Sequence, residues 1–251
     1  MTALTSKFII SLFSGVIMET LKVIQITPFY HPVIGGVEKV VENLAKTQVS
    51  KGHEVYVITV ARDHYGNSVG PIYEERDDIR IHRLSSIFNY SFGSVMKGLG
   101  KLVQKLKPDI VHMHVYRHPH SLTGAIEAKR ARAKVLLHGH SPFHDRRFIP
   151  RVQYAYYVLY DAFFPKILND FYDGIIALYP GEAERYVKLG FSRRKVHVIP
   201  NGVDILFFEK HDPTDFLKAY HIAADRPIIL YFARLNPEKG AHIFIKAIKN
   251  I

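Results

Sequence analysis

Cysteine is absent from the 251 residues, so disulfides and thiolate chemistry are excluded, which suits a reducing interior. Long apolar runs are missing as well. The run Phe8 to Met18 behind Lys7 is too short for a membrane-spanning helix, which needs ~20 apolar residues. It also lacks a convincing small-residue cleavage site of the secretory kind. Residues 1–17 therefore read as an extension ahead of a start at Met18, with an interfacial anchor as the alternative. Internal repeats and low-complexity stretches are lacking. So is the G-x-G-x-x-G fingerprint, which argues against a nicotinamide-dependent dehydrogenase.

What is present is a chain able to bury a core, 47% hydrophobic and 23% charged, with a formal net charge of +11. That balance points to anionic partners such as nucleotide phosphates or acidic lipid headgroups. Much of it is local: residues 129–151 hold Lys129, Arg130, Arg132, Lys134, Arg146, Arg147 and Arg151 against Asp145 alone. No nucleic-acid motif accompanies the charge, so nucleic acid is not an expected partner. An anionic membrane surface is. The aromatic stretch Tyr154–Phe164 that follows reads as a helix packed on a sheet, with a membrane-interfacial surface as its functional alternative.

Short runs rich in Val and Ile alternate with helical patterns. Leu21–Thr27, Glu54–Val60, Ile79–Leu84, Asp109–His114, Lys134–His138, Gly174–Leu178 and Lys195–Ile199 read as strands. Val37, Val40, Val41, Leu44 and Ala45 form one helical stripe; Val95, Leu99, Leu102, Val103 and Leu106 form another. Alternation of this kind predicts an α/β fold, a parallel sheet covered by helices, as a Rossmann-like domain over residues 18–206. Polar His211–Thr214 marks a break, after which Ile228–Ala233 reads as a strand, Arg234–Gly240 as a loop, and a helix opens near Ala241. Residues 207–251 thus read as a linker and the first β-loop-α of a second domain, too short to close a core alone.

The loop Pro28–Glu38 joins the first strand to the first helix, at the sheet edge where ligands bind in parallel α/β folds. Gly35 and Gly36 carry no Cβ, so backbone N–H groups at the helix start can approach a phosphate. The alternative is a plain turn in which Glu38 stabilises the helix N-terminus. Further on, Val198-Ile199-Pro200-Asn201-Gly202-Val203-Asp204 precedes Ala233-Arg234-Leu235-Asn236-Pro237-Glu238-Lys239-Gly240 by some thirty residues. Together with Gly35-Gly36-Val37-Glu38, these segments resemble glycosyltransferase family 4, the retaining enzymes of the GT-B fold. The similarity runs from about Leu21 to the last residue.

The resemblance implies transfer of a sugar from a nucleotide-diphosphate donor to a lipid or glycan hydroxyl, with the nucleotide sugar as co-substrate and no separate cofactor. It implies that Arg234 and Lys239, with Gly35 and Gly36, hold the donor diphosphate. Two cations stabilise leaving-group charge without a metal. It implies that His138, which ends the strand Val135-Leu136-Leu137-His138, sits at the donor sugar. Tyr30, His114 and Asn201 are candidates to line the cleft. His112 and His114 fall on one face of their strand, which makes a metal site conceivable, but with no cysteine and few acids nearby no metal is expected. His118 and His120 read as loop or helix-start residues.

The family's E-x7-E glutamate pair belongs to the second domain and has no counterpart here. The expected protein is therefore the N-terminal, acceptor-side part of a GT-B transferase, cytoplasmic or peripheral on the inner face of a membrane. Its rivals are an inactive or split-gene binding module needing a separately encoded C-terminal half, and a GT-B epimerase or phosphorylase-like relative.

Overall fold

Two of the strands are predominantly apolar and covered on both faces, and they take the middle of the sheet. β1 (Lys22–Ile26) and β2 (Glu54–Val60) are buried along nearly their whole length, as strands covered on both sides must be. The computed structural model describes residues 19–249 except 91, 92, 204, 224, 226 and 236, so the run Phe8 to Met18 lies outside the described residues.

Between β1 and β2 runs α1 (Gly36–Ser50), which buries Val41 and Ala45 against Val55, Val57, Ile79 and Ile81. β3 (Tyr73–Arg76) and β4 (Ile79–Leu84) follow, then a hairpin of β5 (Ser86–Tyr90) and β6 (Gly93–Met96). α2 (Leu99–Leu106), β7 (Ile110–His114), α3 (Pro119–Arg130) and β8 (Lys134–His138) continue the alternation. α4 (Arg151–Phe171), β9 (Gly174–Ala177), α5 (Pro180–Lys188) and β10 (Val196–Val198) complete the sheet. Its order is β10-β9-β8-β7-β1-β2-β4-β3, with every pairing parallel except β3 on β4. The larger hydrophobic core holds Ile24, Ile26, Val111, Met113, Val135 and Leu137 from the central strands.

The chain leaves β1 toward β2 on one side and returns through β7 on the other. The crevice outside the carboxyl ends of β1 and β7 is therefore the topological switch point, where open α/β sheets bind ligands.

The described residues form two compact units. One runs to Phe143 and resumes over Ala155–Asn201; the other comprises His144–Tyr154 and the residues from Gly202 onward. The second unit holds α6 (Thr214–Ala219), a 3-10 turn at Pro237–Lys239, and α7 (Ala241–Ile248).

Two expectations need correction, and one strand was not expected. Val95 matches a helical stripe in spacing, but it lies on β6, and the helix begins at Leu99. β3, with the sequence YEER, carries too little apolar surface to be seen from composition. Ile228–Ala233 is not a strand: it forms no ladder, and Leu230 and Phe232 are 80% and 94% exposed. A strand is stabilised by cross-strand partners, and among the described residues this segment has none.

Candidate functional site

At the switch point the sheet presents imidazoles. His112 and His114 lie two apart on β7 and so share a face. Gln25 on β1 stands in register with His112, and His138 on β8 stands in register with His114. These polar residues from three adjacent strands are all buried. Ring centroids are 4.3 Å apart for His112 and His114, and 5.8 Å for His138 to each of them. His140, two residues beyond β8, stacks on His138 at 3.8 Å.

Hydrogen bonds fix one tautomer. The Gln25 amide donates to Gln48 Oε1 at 2.8 Å, so its own Oε1 accepts, at 2.6 Å, from His114 Nε2–H. His114 Nδ1 is then a lone pair, and it accepts from His140 Nε2 at 2.9 Å. By contrast His112 Nε2 and both ring nitrogens of His138 are buried without a hydrogen-bond partner. Burial, with repulsion from the neighbouring imidazole, pushes His112 down to about 3; burial pushes His138 to about 4. His114 is driven well below the ordinary imidazole range by burial and then by its neighbours, and His140 falls to about 2. The cluster is therefore uncharged near neutral pH.

Elements around it hold the edge in place. The His138 carbonyl accepts from Val115 N at 2.9 Å, closing the end of the β7–β8 ladder. His120, inside the first turn of α3, donates from Nε2 to the His114 carbonyl at 2.9 Å, while His118 immediately precedes that helix without a side-chain capping bond; both are helix-start residues as expected. Gly139, between His138 and His140, lies so close to the Tyr186 hydroxyl that a Cβ there would collide with it. On the same helix Glu182 is fully buried, accepts from Leu178 N at 2.9 Å, and has its carboxyl pushed up by burial.

The start of α1 holds an anion of its own. A Cβ on Gly35 would strike the Glu38 carboxylate, whereas one on Gly36 would meet open space. Gly35 is extended (φ −173°), so space and not backbone conformation is what a side chain there would violate. A cavity of about 210 Å³ opens beside it, lined by His31, Ile34, Gly35, Glu38, Lys39 and Glu42.

Other expected residues fall variously. Tyr30 is buried in the core beneath α1 with Val41 and Val55, and burial pushes its hydroxyl to about 12. His114 is fully buried, within the imidazole cluster and not at an open surface. Asn201 is exposed in the loop after β10. Gly35, Gly36 and His138 belong to the larger unit, and Arg234 and Lys239 to the smaller. Arg234 and Lys239 are exposed; the Lys239 carbonyl accepts from the Tyr231 hydroxyl at 2.9 Å, and Gly240, with φ of 73°, starts α7.

The sequence reading missed three residues. Gln25 was detectable as the lone amide in a buried strand, KVIQI. Arg117 and Asp161 carried no signal, because 44 residues separate them.

The basic segment is less cationic than its composition. Lys129 and Lys134 reach Asp173, Arg130 reaches Glu127, and Arg147 reaches Asp145. Beyond it, α4 exposes Val152, Val158, Leu159, Phe163 and Ile167, while Tyr160 and Leu168 pack inward. No helix among the described residues is long and apolar enough to cross a membrane.

Known proteins match this arrangement. The chain is 23% identical over 233 residues to the phosphatidylinositol N-acetylglucosaminyltransferase GPI3 subunit of Saccharomyces cerevisiae, covering 89% of this chain and 48% of that protein. It thus spans about half the length of that curated relative. Among solved structures, Anabaena Alr3699/HepE in complex with UDP superposes with a TM-score of 0.64 at 22% identity, over 92% of this chain and 58% of that one. A glycosyltransferase from Rickettsia africae gives 0.63 at 22% identity, over 92% and 57%. These two likenesses establish the GT-B type of fold. The model of Glycosyltransferase Family 4 matches residues 34–206, well over half of the sequence, from the Ile34–Glu38 loop through the imidazole edge to β10 and beyond. The chain belongs to glycosyltransferase family 4.

Proposed function

We propose that this chain supplies the acceptor-side part of a glycosyltransferase that moves a sugar from a nucleotide-diphosphate donor to a lipid or glycan hydroxyl, with retention. The observation that carries the reading is the position of His138, which ends β8 at the switch point beside His112 and His114 in a family 4 chain. Its uncharged imidazole offers one N–H donor and one lone-pair acceptor, which suits contact with sugar hydroxyls. Arg234 and Lys239 are assigned to the donor diphosphate, where fixed cations stabilise the developing charge. Gly35 and Gly36 are assigned to the phosphate approach, with Glu38 shifting aside when the donor binds. Tyr30 acts as core support for α1.

Donor and acceptor classes draw on the relatives. The Anabaena structure holds UDP, and the yeast relative is named for phosphatidylinositol and N-acetylglucosamine, which favours a nucleoside-diphosphate sugar and a lipid acceptor. The exposed apolar face of α4, with Arg151 at its start, fits a peripheral position on an anionic membrane. A second reading has one specific support. The apolar segment Ile228–Phe232 is exposed and unpaired among the described residues, as expected of a module that works only with a separate C-terminal half.

The test is donor consumption with a panel of nucleotide sugars, for the 251-residue chain alone and for the chain completed by a C-terminal half from a family relative. Nucleoside diphosphate released only by the completed protein, with sugar incorporated into acceptor, is the expected result. Transfer by the chain alone would remove the second reading, and absence of release in every case would remove the first.

A further inference from the structure

The imidazole cluster exceeds what sugar contact by His138 requires. Three rings, from two adjacent strands, each offer one ring nitrogen, and these atoms lie within 4.8 Å of one another. Two of the three ligands, His112 and His138, are buried with ring nitrogens that no group in the protein satisfies. A buried polar atom without a partner is destabilising, so His112 Nε2 and a ring nitrogen of His138, brought together at the sheet edge, call for a ligand. The third ring, His114, is held by an amide oxygen on its far nitrogen, Gln25 Oε1 to Nε2 at 2.6 Å. Metal-binding histidines are oriented this way, with the outer N–H donating to an oxygen and the inner nitrogen presenting its lone pair; here that lone pair accepts from His140 Nε2, and ion binding takes the place of this hydrogen bond.

We propose that His112, His114 and His138 form a binding site for one borderline divalent transition-metal ion of the zinc class. Nitrogen ligands about 2.0–2.1 Å from a tetrahedral ion stand ~3.4 Å from each other, so side-chain rotations of about an ångström close the set. Three neutral imidazoles with no carboxylate favour Zn2+, Co2+, Ni2+ or Cu2+ over Mg2+ and Ca2+, which take oxygen ligands. Three protein ligands leave a fourth position. An exogenous oxygen ligand at the sheet edge fills it, while His140, whose Nε2–H donates to His114 Nδ1 at 2.9 Å in the ion-free protein, swings away from that nitrogen. Gln25 is a positioning residue that acts through His114. A metal held here would occupy the His138 lone pair, so the site would compete with sugar contact at the same ring.

The inference does not rest on the transferase reading, because its readout is metal binding. Tag-free chain, freed of metal by a chelator, is titrated with Co2+ while the visible absorption of four-coordinate cobalt is followed. Saturation at one ion per chain is expected, displaced by Zn2+ and unaffected by millimolar Mg2+. His112→Ala and His138→Ala should each weaken binding at least ~tenfold, and Gln25→Ala should weaken it by roughly 10–100-fold. His118→Ala, outside the ligand set, should leave it unchanged. Circular dichroism confirms folding of each variant, and His138→Gln, at the strand end, serves if an alanine variant does not fold. No stoichiometric cobalt spectrum, or one equally strong in both His112→Ala and His138→Gln, would overturn the proposal.

Discussion

Arg117 and Asp161 form a two-pronged ion pair across 44 residues, Nε to Oδ1 at 2.9 Å and Nη2 to Oδ2 at 2.5 Å. Both are largely buried, and Arg117 also donates to the Pro142 carbonyl at 2.8 Å. The pair fastens α4 to the loop that follows β7, next to the imidazole edge. Removing one partner strands a buried charge. Asp161→Asn is therefore expected to cost about 3–5 kcal/mol, seen as a fall in denaturation midpoint. Replacing both residues with apolar ones of similar volume should cost less than either single change. A single variant within 0.5 kcal/mol of wild type (roughly the scatter of surface substitutions) would show that the pair does not brace the loop.

Glu38 fills the space over Gly35, so the two positions should be coupled. Gly35→Ala alone is expected to destabilise by about 1–3 kcal/mol, as overpacking does. In a Glu38→Ala background most of that penalty should vanish, a coupling that a double-mutant cycle on urea midpoints measures. Additive effects would mean that Gly35 is free of Glu38 in solution.

The buried histidines set the response to acid. Burial holds His112 and His118 at about 3, and His120 and His138 at about 4. Unfolded, each titrates near ~6.5, so between those values the unfolded chain binds more protons than the folded one. Stability is thus complete above ~6.5 and is lost progressively as pH falls toward 4. Melting temperature at constant ionic strength should decline steadily from pH 7 to 5, before carboxylates titrate. A flat profile across that range contradicts the burial of these rings.

Membrane binding, if it follows the basic segment, should be weak and salt-sensitive. Ion pairs within the chain leave Arg132, Arg146 and Arg151 as the segment's cations with no carboxylate in reach among the described residues. At ~1 kcal/mol per cation the electrostatic gain is only about 3 kcal/mol. Sedimentation with phosphatidylserine vesicles should fall sharply from low to high ionic strength. Phe163→Ser, on the exposed face of α4, should reduce what remains at high salt. Equal partitioning to neutral and anionic vesicles would exclude the electrostatic contribution.

Much of the sheet was legible because strands buried on both faces are predominantly apolar, as KVIQI and EVYVITV are despite Gln25 and Thr59. The elements that escaped lack that signature. β3 is charged, and Val95 shares helical spacing with Leu99, Leu102 and Leu106 by coincidence of a strand leading into a helix. Ile228–Ala233 shows the converse: strand composition is insufficient where no neighbour supplies hydrogen bonds. Alternation placed His112 and His114 on one face, but no local pattern can show that His138 stands in register beside them. That pairing depends on β7 and β8 meeting across an intervening helix. The burial of Tyr30 was not legible, because a tyrosine in a ligand-facing loop has the same sequence signature whether its ring turns outward or into the core.

The account turns on His138. The most direct measurement is steady-state transfer by the chain completed with a C-terminal half, comparing wild type with His138→Ala over a range of donor concentrations. The account predicts that kcat falls roughly tenfold or more, ~1.4 kcal/mol of lost transition-state stabilisation, while donor binding stays close to wild type. Arg234→Ala, a change at the diphosphate, should lower kcat/KM by a similar or larger factor. A folded His138→Ala protein that turns over at the wild-type rate would contradict the assignment of the imidazole edge as the site of transfer.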